Sequence, residues 1–236
     1  MVIPDEKQVS RFITEPLKTT IKVFCIVVVF SIAFAYIESA VVVYLRAIFY
    51  TDGFTFPLTI FGLDSFGRRL LWTEIGREVA TIVLIFTGSW LFGKNRRQRF
   101  AYFLTIFAVW DIFYYVWLKV LLDWPSSIMD WDVLFLIPTT WASAILCPVL
   151  ISIALLIFAA VILYRDAHGR TIKVTWVNWL VFIIAGIIVI VSFCTPGPYV
   201  TEPDYKSYFY WPLFAAGFLL AVGMFIKCLL KSEPEN

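Results

Sequence analysis

The sequence predicts an all-α, polytopic membrane protein: six transmembrane helices in one bundle, with both termini on the cytoplasmic side. Three observations predict it. The chain of 236 residues is 61% hydrophobic and only 15% charged, whereas a soluble domain is about half apolar. The excess is gathered into long runs, and about 20 apolar residues let a helix cross roughly 30 Å of hydrocarbon. Lys and Arg are segregated: 13 lie before the first run, in the second and fourth connections and at the carboxy-terminal end, against 3 in the other connections. The basic side is the cytoplasmic one, and two cytoplasmic termini require an even number of spans. Outer-membrane strands would be short and alternating, so a barrel does not fit.

Residues 1–20 then form a cytoplasmic segment, residues 21–231 the six-helix domain and residues 232–236 a cytoplasmic tail. The amino-terminal segment is polar and mixed in charge, and predicts a short surface helix bounded by Pro4 and Pro16. The run that follows is too long for the core of a cleavable signal, and no small-residue cleavage site follows it.

The first span is expected over Ile21–Tyr50 and carries Glu38 and Arg46. The second covers Leu70–Phe92 with Glu74, Arg77 and Glu78 near its start. The third covers Phe100–Trp124 with Asp111 near its middle and Lys119 beyond it. The fourth covers Val133–Tyr164. Pro138 and Pro148 suggest a break there, with Leu134–Ile137 as an interfacial piece and the true span starting near Thr139. The fifth covers Val174–Cys194 and the sixth Tyr208–Leu230. The first and fourth are longer than a crossing needs, so they must tilt, project or break. The last two carry no ionisable residue in their interiors and read as scaffold. Gly217 and Ala221, four apart, and Ala185–Gly186 are small residues that let helices approach closely.

The connections on the outer side are acidic and aromatic: Asp52 and Asp64, then Asp123, Asp130 and Asp132 with Trp124 and Trp131, then Glu202 and Asp204 with Tyr199, Tyr205 and Tyr208. As a functional feature this is a mouth for cations or a head group, with Asp123, Asp130 and Asp132 as candidates. The same composition follows from keeping positive residues inside and from the aromatic belt of any membrane interface.

Charged residues within the spans are the strongest functional signal, because a charge in hydrocarbon is costly unless it faces protein, water or a partner. At about 1.5 Å per residue, Glu38 lies roughly 18 Å and Asp111 roughly 20 Å below the outer end of its helix. Arg46 and Lys119 lie within about 8 Å of it, and Glu74, Arg77 and Glu78 at about 6–12 Å. Three helices thus place ionisable groups in overlapping layers. Glu38 and Arg46 share a side but stand some 12 Å apart, as do Asp111 and Lys119, so partners must come from other helices. Arg77 is the best placed, and it also pairs locally with Glu74 at i, i+3. Four acids face three bases, so one acid, Glu38 or Asp111, is left without a base. Tyr115, four residues after Asp111, shares its face and is placed to donate to it. Tyr36, Tyr44, Trp110, Tyr114 and Trp117 surround the same layer. In a purely structural role these charges would fix helix packing, with Arg46 and Lys119 snorkelling to the interface. The first and third spans also share an acid-x7-base pattern followed by an acidic, aromatic loop, a weak sign of two parallel hairpin repeats.

Composition excludes much. A net charge of +2 implies no nucleic-acid partner. Cys25, Cys147, Cys194 and Cys228 show no CxxC spacing and read as small apolar residues. With His168 as the one histidine, bis-histidine haem, histidine-box di-iron and Ser–His chemistry are out. There is no HExxH, Walker A or GxGxxG motif, and no cofactor or metal is expected. FGLDSFG at Phe61–Gly67 approaches an aspartyl-protease GxGD motif but lacks the glycine before the aspartate and sits in a loop. No family resemblance emerges.

Three functions follow. The first is binding or translocation of a small polar, ionic or lipid-derived ligand, reached from the outer side of a cytoplasmic-type (inner) membrane. The second is an accessory subunit whose charges meet a membrane-protein partner. The third is a metal-free enzyme using Glu38 or Asp111 as acid or base.

Overall fold

A computed structural model describes residues 6–50, 53–58 and 65–231, with side chains from residue 16 onward in the first stretch and from residue 66 in the last. Pro4, Asp52, Asp64, most of FGLDSFG and the carboxy-terminal tail lie outside the described residues. The described residues form six long helices: α1 (Glu6–Phe49), α2 (Ser65–Phe92), α3 (Arg96–Leu122), α4 (Leu146–Ala167), α5 (Trp176–Cys194) and α6 (Trp211–Leu230). Each is long and apolar enough to cross a membrane. Their outward faces are largely apolar, with Leu91 at 84% and Leu230 at 83% exposure. A helix facing water would turn a polar face outward, so this is an integral, multi-pass membrane protein.

Pro16 does not end a helix as expected. It lies inside α1, which runs unbroken for 44 residues, about 66 Å at the α-helical rise, longer than the roughly 40–45 Å of a bilayer with its head groups. The fourth span also needs correction. Residues 131–144 are not helical: β1 (Trp131–Phe135) and β2 (Trp141–Ala144) form an antiparallel hairpin. Pairs run from Trp131 with Ala144 to Phe135 with Trp141, with a bulge after Val133. The helix starts only at Leu146, and Pro148 sits in its first turn, where no intrahelical donor is required. A continuous apolar run in a buried hairpin cannot be told from helix by hydropathy alone.

Local signals set several ends. Asn95 caps α3 by accepting from Gln98 N, and Thr175 caps α5 by accepting from Asn178 N. At the same end of the bundle the Asp166 carboxylate of α4 accepts from Asn95, Arg97 and Gln98, tying α4 to the start of α3.

The helices pack in two groups. α1, α2 and α4 pack on α3 around Val27, Phe34, Ile85, Tyr102, Ile106 and Trp110. α5 and α6 form a separate hairpin. Gly217 of α6 sits so close to α5 that a Cβ would lie 3.0 Å from Ala185 O and 2.9 Å from Val189 Cγ2. The second group joins the first mainly through the β-hairpin. Trp131, Ala142, Phe193, Tyr205, Phe209 and Phe214 share one core, and Gly197 passes so near the Thr140 carbonyl that a side chain would collide with it.

Candidate functional site

At one end of the bundle the last third of α1, the first half of α2, the middle of α3 and the β-hairpin converge. Arg77 of α2 pairs with Glu38 of α1 and with Glu74 one turn back, its Nε donating to Glu74 Oε2 at 2.9 Å. Thr81 Oγ1 lies 3.3 Å from the second oxygen of Glu38. The geometry thus joins Arg77 to both acids named from sequence.

Arg46 does not snorkel. It is buried, its Nη2 lies 3.3 Å from Asp132 Oδ1 of β1, and its guanidinium stands 3.8 Å from the Phe54 ring centre and 3.9 Å from that of Trp124. Such stacking favours a desolvated cation. Asp132 also accepts from the Tyr114 hydroxyl at 3.3 Å, and Tyr115 turns to it as well. Burial pushes the Asp132 carboxyl up to about 6, against the opposing pull of Arg46 and of its hydrogen bonds. Asp132 is therefore part of the buried layer and not of an outer mouth.

Asp111 takes its hydrogen bond from Ser152 of α4 at 2.8 Å and not from Tyr115 as expected, because α4 packs on that face of α3. Both carboxylate oxygens of Glu78 lie 3.0 Å from Leu136 N, so this acid receives the backbone donor that the hairpin leaves unpaired just after β1. Among the described residues neither Asp111 nor Glu78 belongs to an ion pair.

The remaining candidates stand apart. Lys119 pairs with Asp123 at 2.7 Å on the exposed end of α3, and that ammonium holds the Asp123 carboxyl below its ordinary value. Asp130 closes its own turn by accepting from Ser126 and Ser127. Tyr36 and Tyr44 face outward.

A cavity of about 1210 Å³ lies against this layer. Glu38, Arg46, Glu74, Arg77, Glu78, Asp111, Tyr114, Tyr115 and Asp132 all border it. Most of its wall is apolar, including Val42, Leu45, Phe103, Phe107, Ile151 and Val189. Val79, Ile82 and Val83 of α2 and Gly186 and Ile190 of α5 are wall residues that are also exposed, so the cavity opens sideways between these two helices. A narrower space of about 470 Å³ shares Leu104, Ile151, Phe182 and Val189 with it and runs between α3, α4, α5 and α6 to Arg96, Arg97 and Arg170.

Ser152, Thr81, Phe54 and Trp141 escaped the sequence reading. Neutral side chains in apolar runs carry no cost signal, and only the fold brings them to the charges. No group of three or more metal-ligating side chains occurs among the described residues. Comparison with protein-family models, with curated proteins and with solved structures finds no match to this chain.

Proposed function

We propose that this integral membrane protein binds an amphiphilic, lipid-derived ligand in the lateral cavity, with the head group at the charged layer and the chains along the apolar wall. One observation carries the reading: a single cavity borders both Glu38 and Asp111, is apolar over most of its wall and opens sideways. Its volume of about 1210 Å³ exceeds the roughly 300–1,000 Å³ of ordinary small-molecule pockets. A sideways opening suits a ligand that arrives from the bilayer. The basic asymmetry of 13 against 3 supports cytoplasmic termini, which puts the charged layer in the outer half of a cytoplasmic-type membrane.

A second reading rests on the same cavity. Among the described residues Asp111 and Glu78 border it without an ion-pair partner, as a carboxyl that exchanges protons with a bound ligand would. The accessory-subunit reading draws only on the internal ion pairs, which need no second protein.

The test is native mass spectrometry of the protein extracted gently from its own membrane. A lipid-sized adduct retained by the wild type and lost in Asp111→Asn is expected. Asn keeps an acceptor for Ser152, so the variant folds. A protein partner at fixed stoichiometry, with no lipid adduct, would overturn the proposal.

A further inference from the structure

The narrower cavity, of about 470 Å³, lies at the opposite end of the bundle from the charged layer, and its wall has the opposite charge. Arg96, Arg97 and Arg170 border it, and among the described residues no carboxylate does. The large cavity carries Glu38, Glu74, Glu78, Asp111 and Asp132 against Arg46 and Arg77. Asp166 at the basic end is already held by Asn95, Arg97 and Gln98, and its side chain is only 6% exposed. Among the described residues neither Arg96 nor Arg170 belongs to an ion pair. Both are exposed, so a ligand at the rim reaches them.

The wall runs from basic to apolar along two segments. Arg96, Phe100 and Leu104 follow one another at four-residue spacing on α3 and lie along one face. Arg170, Ile172 and Val174, alternate residues of the α4–α5 connection, repeat that order. Phe100 meets Trp179 of α5 edge to face at 5.3 Å. Both rings border the cavity and are also exposed, as aromatic residues at a membrane interface are. Deeper in, Phe158, Phe182 and Phe225 line it. Cations at the rim and hydrocarbon within complement an amphiphile with an anionic head. A planar guanidinium matches phosphate oxygens two at a time, whereas a choline head would bring a further cation to the arginines. The asymmetry of Lys and Arg supports a cytoplasmic placement of this end. Basic pockets between helices on that side take anionic lipid head groups.

We infer that this space is a second lipid site, selective for an anionic phospholipid, with Arg96 and Arg170 on the phosphate and the apolar wall along a chain. It does not depend on what the large cavity binds.

The test uses the full-length protein in nanodiscs doped equally with phosphatidylglycerol and phosphatidylcholine carrying the same dioleoyl chains. Lipids retained after transfer to detergent are quantified by mass spectrometry. The wild type should retain phosphatidylglycerol about tenfold over phosphatidylcholine, the size expected of two basic side chains at a lipid head group. Arg96→Gln with Arg170→Gln should abolish that preference with the lipid-free melting temperature unchanged. Should this variant unfold, each single exchange is read the same way, with a severalfold loss expected. Lys94→Gln with Lys231→Gln removes equal charge from the same end outside the cavity and should leave the preference intact, as should Asp111→Asn. Excess inorganic phosphate, against chloride of equal ionic strength, should not displace the lipid. Equal retention of the two lipids overturns the inference, and so does a preference that survives in the folded arginine variants. Equal loss in the lysine variant reduces the effect to general surface charge and overturns it too. Loss in Asp111→Asn alone places the lipid in the large cavity, which overturns this site and supports the other. Displacement by inorganic phosphate makes it a site for the free anion and overturns the lipid assignment.

Discussion

The guanidinium of Arg46 and the carboxylate of Asp132 lie 86 positions apart in the chain and meet inside the protein, Nη2 to Oδ1 at 3.3 Å. The pair links the end of α1 to β1, and Phe54 and Trp124 enclose its cation. Removing one partner of a buried pair leaves the other uncompensated. Arg46→Met should therefore cost about 3–5 kcal/mol at pH 8, read by thermal or denaturant unfolding in detergent. Asp132→Asn should cost less, because Arg46 keeps both rings. Equal losses in the two variants would show that the rings contribute nothing.

Asp132 also makes stability depend on pH. Its folded value is raised from 3.8 to about 6 by burial, so the folded protein holds this proton more tightly than the unfolded chain. The contribution is full below about 4 and is lost as the pH rises through about 6. The change corresponds to roughly 3 kcal/mol. The wild type should gain melting temperature between pH 7 and pH 5, and Asp132→Asn should lack that gain. Arg46→Met should lose its deficit at higher pH than this, because without Arg46 the Asp132 carboxyl protonates more readily and protonation removes the uncompensated charge. Parallel melting curves for the wild type and Asp132→Asn across this range would refute the assignment.

Arg77 stands between Glu38 and Glu74. Glu38→Gln leaves Arg77 paired with Glu74 and should cost about 1.5–3 kcal/mol, on the order of one charged hydrogen bond. Arg77→Ala leaves two neighbouring carboxylates without a cation and should cost about 3–5 kcal/mol. Denaturant titration of both variants checks the order, and a larger loss in Glu38→Gln would contradict the shared-cation geometry.

Gly217 and Gly223 lie on one helix and should respond in opposite directions. A Cβ at Gly217 would press on Ala185 O, Val189 and Ile188, while one at Gly223 meets nothing within 4 Å. Gly217→Ala should destabilise the α5–α6 hairpin by about 1–3 kcal/mol. Gly223→Ala should be neutral or gain up to about 1 kcal/mol of helix propensity. Melting temperatures of the two variants, measured side by side, decide this.

Six helices were legible in the residues alone, and four lie close to where hydropathy puts them: α2, α3, α5 and α6. The Glu74–Arg77 pair was legible too, because i, i+3 neighbours meet on any helix. These features depend on local composition and helical rise, which a sequence carries directly. The hairpin at Trp131–Ala144 was not legible, since its strands are too short and too apolar to show alternation. Only the tertiary structure decided that Asp132 answers Arg46, that Ser152 answers Asp111 and that Glu78 answers Leu136 N. It also decided that α5 stands off from α2, leaving a cavity between them. The physical reason is the same in each case. In hydrocarbon a helix needs no partner to exist, so its own residues determine it. A buried charge needs a partner, and which residue serves is set by packing between segments far apart in the chain.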